Sequence, residues 1–153
     1  MNMQKTTNFM DMALAQARKA EARGEVPVGA VVVSKTGQLL AQAGNRTLEL
    51  KDPTAHAEML ALQAAARELS SERLIDCDLY VTLEPCAMCA GAISLARIRR
   101  LYYGAADEKS GGVDHGARVF AQATCHHAPE VYGGIAEREA EDLLTIFFQT
   151  LRR

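Results

Sequence analysis

The 153-residue chain is 48% hydrophobic and 24% charged, enough apolar material for a buried core, which excludes a disordered protein. Its net charge of −2 excludes a globally basic nucleic-acid binder, so any RNA contact must be a local patch. Residues 1–7 carry no signal-peptide pattern, no apolar run reaches a membrane span, and four cysteines suit a reducing cytoplasm better than a disulfide framework.

Phe9, Met12, Ala13, Ala17 and Ala20 recur at helical spacing and stop near Gly24, predicting a helix over 9–22. Residues 26–33 are a nearly continuous apolar run broken by Gly29, as for a strand buried on both faces. A turn at 34–37 brings back 39–43 as a hairpin partner, and 44–53 reads as a polar loop. Ala- and Leu-rich 55–69 reads as a strong helix, capped at Thr54. After a connection at 70–76, residues 77–83 read as a buried strand running straight into a second helix. Pro85 suits the first position of that helix, where its missing N–H costs nothing. Residues 98–103 predict another short strand, and the Gly-rich, charged stretch 107–118 reads as the most mobile loop. Residues 119–131 favour neither helix nor strand, and 137–151 reads as an amphipathic helix carrying Ile146, Phe147 and Phe148. This order implies parallel strand pairing with right-handed crossovers in one domain spanning 1–153.

Cys86 and Cys89 are three residues apart at a helix start, so both thiols leave on one side, where the helix N-terminus favours thiolates. The stretch 52–58 has the same layout, a polar, Pro-containing lead-in to a helix, with His56 in the corresponding place. If the two helix starts lie side by side, His56, Cys86 and Cys89 converge as three zinc ligands. Three protein ligands with a position left for water is the catalytic pattern, whereas structural zinc sites close with four. Glu58 projects in another direction from His56 and is placed to carry protons rather than to ligate. The backbone N–H of Ala57, free in a first helical turn, is a candidate donor to a product carbonyl oxygen.

The bland alternatives stand beside these readings. Cys-x-x-Cys alone also suits a redox pair, and a structural zinc closed by Cys125 or His126 is a second possibility. Glu58 alone is a favourable acid at a helix start, Asn45 a turn residue after Gly44, and Val28 an ordinary buried valine. Cys125-His126-His127 reads as surface rather than as a second metal site, and Cys77 as a structural thiol. Arg97, Arg99 and Arg100 suit either phosphate contact or a solvated helix end. Phe147 and Phe148, followed by Arg152 and Arg153, suit either base stacking and phosphate contact or core packing with a capped helix end.

His-x-Glu with Pro-Cys-x-x-Cys is the known signature of zinc-dependent nucleobase deaminases. Over 9–103 the chain resembles the bacterial tRNA-specific adenosine deaminases. The words that carry the likeness are Glu-Val-Pro-Val-Gly-Ala-Val at 25–31, Gly-Asn-Arg at 44–46, 52–58, 81–93 and 97–105. The resemblance implies a three-layer α-β-α cytidine-deaminase-like fold with a five-stranded mixed sheet. It implies one Zn2+ per chain and no organic cofactor. It also implies conversion of adenosine to inosine at the wobble position of a tRNA anticodon stem-loop, with Glu58 as proton shuttle. Asn45 would hydrogen-bond the purine, Val28 wall the base, and Asp107 and Lys109 lie on a loop near the substrate. A cytoplasmic homodimer is implied, joined at the small-residue face of the Cys helix (Ala87, Ala90, Gly91, Ala92, Ala96), with RNA crossing both subunits. Phe148 is the aromatic candidate for RNA contact. Two other readings remain: a free-base (guanine or cytosine) deaminase, and a zinc-stabilised binding module without catalysis. Glu58 and the missing fourth ligand favour an enzyme.

Overall fold

In a computed structural model describing residues 2–151, the elements run α1 (Met3–Ala22), β1 (Gly29–Val33), β2 (Leu39–Gly44), α2 (Ala57–Leu69) and β3 (Asp78–Leu83). They continue with α3 (Ala87–Leu95), β4 (Arg100–Ala105), a 3-10 turn (Val119–Ala121), β5 (Glu130–Tyr132) and α4 (Glu137–Leu151). The sheet order is β2-β1-β3-β4-β5. β1 is antiparallel to both β2 and β3, while β3, β4 and β5 are parallel. The predicted parallel pairing therefore holds around α3 but not around α2. The crossover through α2 joins β2 to β3, and β1 lies between them.

Period-two alternation sorts the sheet into two faces. Ala30, Val32, Leu79, Val81 and Leu101 pack with Ala57, Ala61 and Ala65 of α2 and with Ala90 and Ile93 of α3. Val31, Val33, Tyr80 and Tyr102 face the other way, onto Met10, Ala13 and Leu14 of α1 and Ala140 of α4. The result is three layers, α1/α4, sheet, α2/α3. On the α1/α4 side, Tyr80 and Tyr102 stack at 4.4 Å and Tyr102 and Tyr132 at 5.1 Å across three neighbouring strands. α1 lies so close to β1 that a Cβ on Gly29 would sit 1.9 Å from the Ala13 carbonyl oxygen, which is why that apolar run is broken by glycine.

Several boundaries differ from the predicted ones. α1 starts at Met3 because the Asn2 side chain accepts the N–H groups of Gln4 and Lys5, and its buried face carries Met10 where Met12 is exposed. Residues 26–28 precede β1 as irregular chain, and residues 130–132 of the ambiguous stretch form the edge strand β5. Residues 107–118 are the largest departure: Gly111, Gly112 and Val113 are buried.

Candidate active site

His56 and Cys86 hold the same position in two different helices. Each is an N-cap in extended conformation, and neither side chain caps its helix. The caps expected at Thr54 and the first helical turn expected at Pro85 are displaced accordingly. Thr54 donates through its N–H and hydroxyl to Asp52 Oδ1, a turn that ends before α2, and Pro85 precedes the α3 cap. Leaving the cap position to His56 and Cys86 aims both side chains at the gap between two helix N-termini, where negative charge is favoured.

His56 Nδ1 lies 3.7 Å from Cys86 Sγ and 3.5 Å from Cys89 Sγ, and the three ligand atoms lie within 4.8 Å of one another. Tetrahedral zinc with its usual bond lengths needs N···S separations of about 3.6 Å, so the donors fit zinc as they stand. The hydrogen bond between the two thiols drives their acidities apart. Cys86 drops to about 4, held by the Cys89 thiol and then by His56. Cys89 is pushed far up by Cys86 and by burial. His56 is raised by its bond to Cys86. One ready thiolate beside a histidine and a thiol that gives up its proton on ligation are the properties a zinc site requires.

Glu58, on the next residue but one, is 4% exposed, and burial lifts its carboxyl to about 7. It lines a cavity of about 170 Å³ together with His56, Cys86, Val28, Asn45, Asp107 and Ser110. Asn45 is held on three sides: its N–H donates to the Val28 carbonyl, its carbonyl accepts from Arg23, and its side-chain Oδ1 accepts the Ala57 N–H at 3.0 Å. The Ala57 N–H, expected to be free for a product oxygen, is therefore occupied. Its role passes to orienting Asn45, whose Nδ2 is the amide group left for a ligand. Val28 lies at the pocket. Val26, Leu83 and Asp107 also border a larger cavity of about 520 Å³, lined further by Leu144 and Phe148.

Phe148 is 43% exposed and faces the larger cavity, while Phe147 is half-buried; Arg152 and Arg153 lie outside the described residues. Cys125 lies at the far end of α3, bonded to Ser94 Oγ and the His127 carbonyl, and neither Cys125 nor His126 joins the triad. Arg99 pairs with Asp78 and Arg100 with Glu130, while Arg97 bonds the Ser94 carbonyl at the end of α3. Cys77 is a buried free thiol.

Two residues given no role by the sequence reading complete the site. Glu25 and Glu84 are buried carboxylates, and both fall below the ordinary carboxylate range. Burial pushes each up, but backbone donors pull harder: the N–H groups of Glu49 and Leu48 on Glu25, and those of Asp107, His115 and Val113 with the His115 imidazole on Glu84. The signal for them was an acidic residue at the edge of an apolar run, since a buried charge must be paired.

A three-donor metal centre with a buried carboxyl at its side places the chain among the zinc-dependent hydrolytic deaminases. Residues 3–105 match the family described as the cytidine and deoxycytidylate deaminase zinc-binding region. The tRNA-specific adenosine deaminase of Agrobacterium fabrum is 57% identical over 150 residues, 98% of each chain. A solved structure from studies of A-to-I editing by tRNA:A34 deaminases at the wobble position superimposes with a TM-score of 0.88. It is 59% identical and covers 90% of this chain and 99% of that one. A guanine deaminase from Nitrosomonas europaea aligns with a TM-score of 0.79 at 25% identity, covering 92% of this chain and 83% of that one. Within that wider family, the chain belongs to the tRNA-specific adenosine deaminases.

Proposed function

We propose that the protein hydrolyses adenosine to inosine at the wobble position of a tRNA anticodon, releasing ammonia. The observation that carries this reading is one cavity that joins the metal donors, the buried Glu58 and a fixed Asn45 amide. The identity to relatives named for this activity, well above that to a guanine deaminase, favours adenosine over a free base.

His56, Cys86 and Cys89 would hold the zinc. Bound there, zinc would supply a water acidic enough to ionise near neutral pH. Glu58 takes the proton of the attacking water and gives it to a ring nitrogen as the new C–O bond forms. It then carries the second water proton to the departing exocyclic amine, so the products are inosine and ammonia. One carboxylate serves every transfer because all the exchanging atoms lie on one side of the base. Asn45 Nδ2 donates to a ring-nitrogen acceptor, and Val28 with Leu83 excludes water from the base. Phe148, beside the larger cavity, offers a stacking surface to a neighbouring base of a splayed loop.

The enzyme is proposed to act as a cytoplasmic homodimer. Leu95 of α3 is 73% exposed and shares a surface cavity with Met59, Leu62, Ala66, Ala92 and Ala96, an apolar face suited to a second copy. Mass spectrometry of an unmodified anticodon stem-loop after incubation tests the activity. Conversion of the wobble adenine to hypoxanthine is expected. Turnover of free guanine with an unchanged stem-loop overturns the reading.

A further inference from the structure

The segment with the composition of a mobile loop is folded around a single side chain. Glu84 follows β3 directly and is 2% exposed. Its Oε1 accepts the Asp107 N–H at 3.0 Å and bonds His115 Nδ1 at 2.7 Å. Its Oε2 accepts the N–H groups of Val113, Asp114 and His115 at 3.2, 3.0 and 3.1 Å. A carboxylate has about four lone-pair sites, so this one is saturated and has nothing left for a substrate or a metal. The donors come from both ends of residues 107–115, which closes that segment into a fixed arch. The arch is sealed against the turn that carries Cys86: Gly112 donates to the Pro85 carbonyl at 2.8 Å. A Cβ on Gly112 would lie 2.5 Å from the Ala87 nitrogen, so only glycine permits the approach.

The arch carries Asp107 and Ser110, which line the same pocket as Asn45. Asp107 Oδ1 in turn accepts the Ser110 N–H at 2.9 Å, so both pocket groups move with the clamp. The same device recurs on the other wall. Glu25, 1% exposed, accepts the N–H groups of Leu48 and Glu49 at 3.1 and 2.9 Å and pins the loop that follows Asn45.

We propose that Glu84 is a positioning residue for the deamination: its clamp on residues 107–115 sets the pocket wall formed by Asp107 and Ser110, and with it the affinity for the base-bearing loop. This rests on the substrate reading above. The carboxylate is required because an amide in its place turns an N–H toward converging N–H donors. It acts on binding and not on the proton relay, since all five donors to Glu84 come from residues 107–115 and none from Glu58 or a metal donor.

The test is Glu84→Gln, with zinc content, stem-loop kinetics and amide exchange measured together. One zinc per chain is retained, KM rises by about tenfold or more, and kcat stays within about threefold, as for a misplaced positioning group. In the substrate-free protein the amides of 113–115 exchange faster. In a double-mutant cycle with Asp107→Ala, the two effects on KM are not additive, because both act through one wall. A lower melting temperature with unchanged KM, or a fall in kcat alone, overturns the proposal. If Glu84→Gln does not fold, His115→Ala removes one bond of the set and must raise KM measurably; an unchanged KM is equally fatal. Wild-type protein that makes no inosine refutes the substrate reading instead, while loop exchange unaffected by Glu84→Gln refutes the clamp itself.

Discussion

Replacing Glu58 with Gln separates the cost of burying an acid from the work that acid does. Among the described residues, three carboxylates reach the pocket: Glu58, Glu84 and Asp107. Glu84 is saturated by its five donors, and Asp107 is engaged by the N–H groups of Lys109 and Ser110. That leaves Glu58 as the proposed proton carrier, so Glu58→Gln should keep its zinc yet lose about 10²–10⁴-fold in kcat, the range for a general acid–base group. The folding consequence has the opposite sign. Burial holds the Glu58 carboxyl at about 7 in the metal-free fold, against an ordinary value of 4.5. Between those values the folded protein keeps a proton that the unfolded chain has lost, so stability falls as pH rises through the window. The full penalty, about 3 kcal/mol, applies above pH 7 and vanishes below pH 4.5. Glutamine cannot ionise and escapes it. Urea unfolding of the chelated proteins should show the variant's advantage growing by about 3 kcal/mol between about pH 5 and about pH 8. Any cost of seating the amide is the same at every pH, so the growth is the diagnostic. A pH-independent difference, or activity within about tenfold of wild type, refutes the reasoning.

Three further outcomes follow from the geometry. Cys86→Ala should lose the bound zinc and with it folding stability, read by metal analysis and thermal unfolding; full zinc retention removes Cys86 from the ligand set. Asn45→Ala strips the Ala57 N–H of its acceptor and the base of its amide partner, so KM for the stem-loop should rise about 10- to 100-fold. An unchanged KM would leave Asn45 a turn residue only. Leu95→Asp places a charge on the exposed face of α3, and light scattering at micromolar concentration should show a dimer for wild type and a monomer for the variant. A wild-type monomer contradicts the interface.

The residues of the site were legible because they are local in the chain. His56 with Glu58, and Cys86 with Cys89, are read from spacing within single helix starts, and only their meeting depends on the fold. Their helical phase was misread for one reason. Thr54 and Pro85 have the residue chemistry of a cap and a first turn, but the ligands themselves occupy the cap positions. The Asn45–Ala57 bond was invisible because it joins two elements 12 residues apart whose contact exists only after folding. The 107–118 segment was misjudged because glycine and charge describe a flexible loop equally well as one folded around a buried acid. The acid, Glu84, lies 23 residues earlier than its first donor, Asp107. β5 has three residues, too few for any periodicity, and exists by pairing with β4.

The tyrosine stack on the α1/α4 face has an optical consequence. The chain has no tryptophan and four tyrosines, so its near-ultraviolet spectrum above the phenylalanine bands belongs to phenol rings. Tyr80 and Tyr102 are parallel to within 4° at 4.4 Å, and Tyr132 extends the stack at 5.1 Å. Phenol rings fixed in such asymmetric packing give near-ultraviolet circular dichroism that is lost when β3, β4 and β5 separate. The chromophores sit across the sheet from α2 and α3, where the metal donors stand. The protein thus carries its own gauge of scaffold integrity, one that variants of the pocket leave untouched and that separates a broken sheet from an empty site.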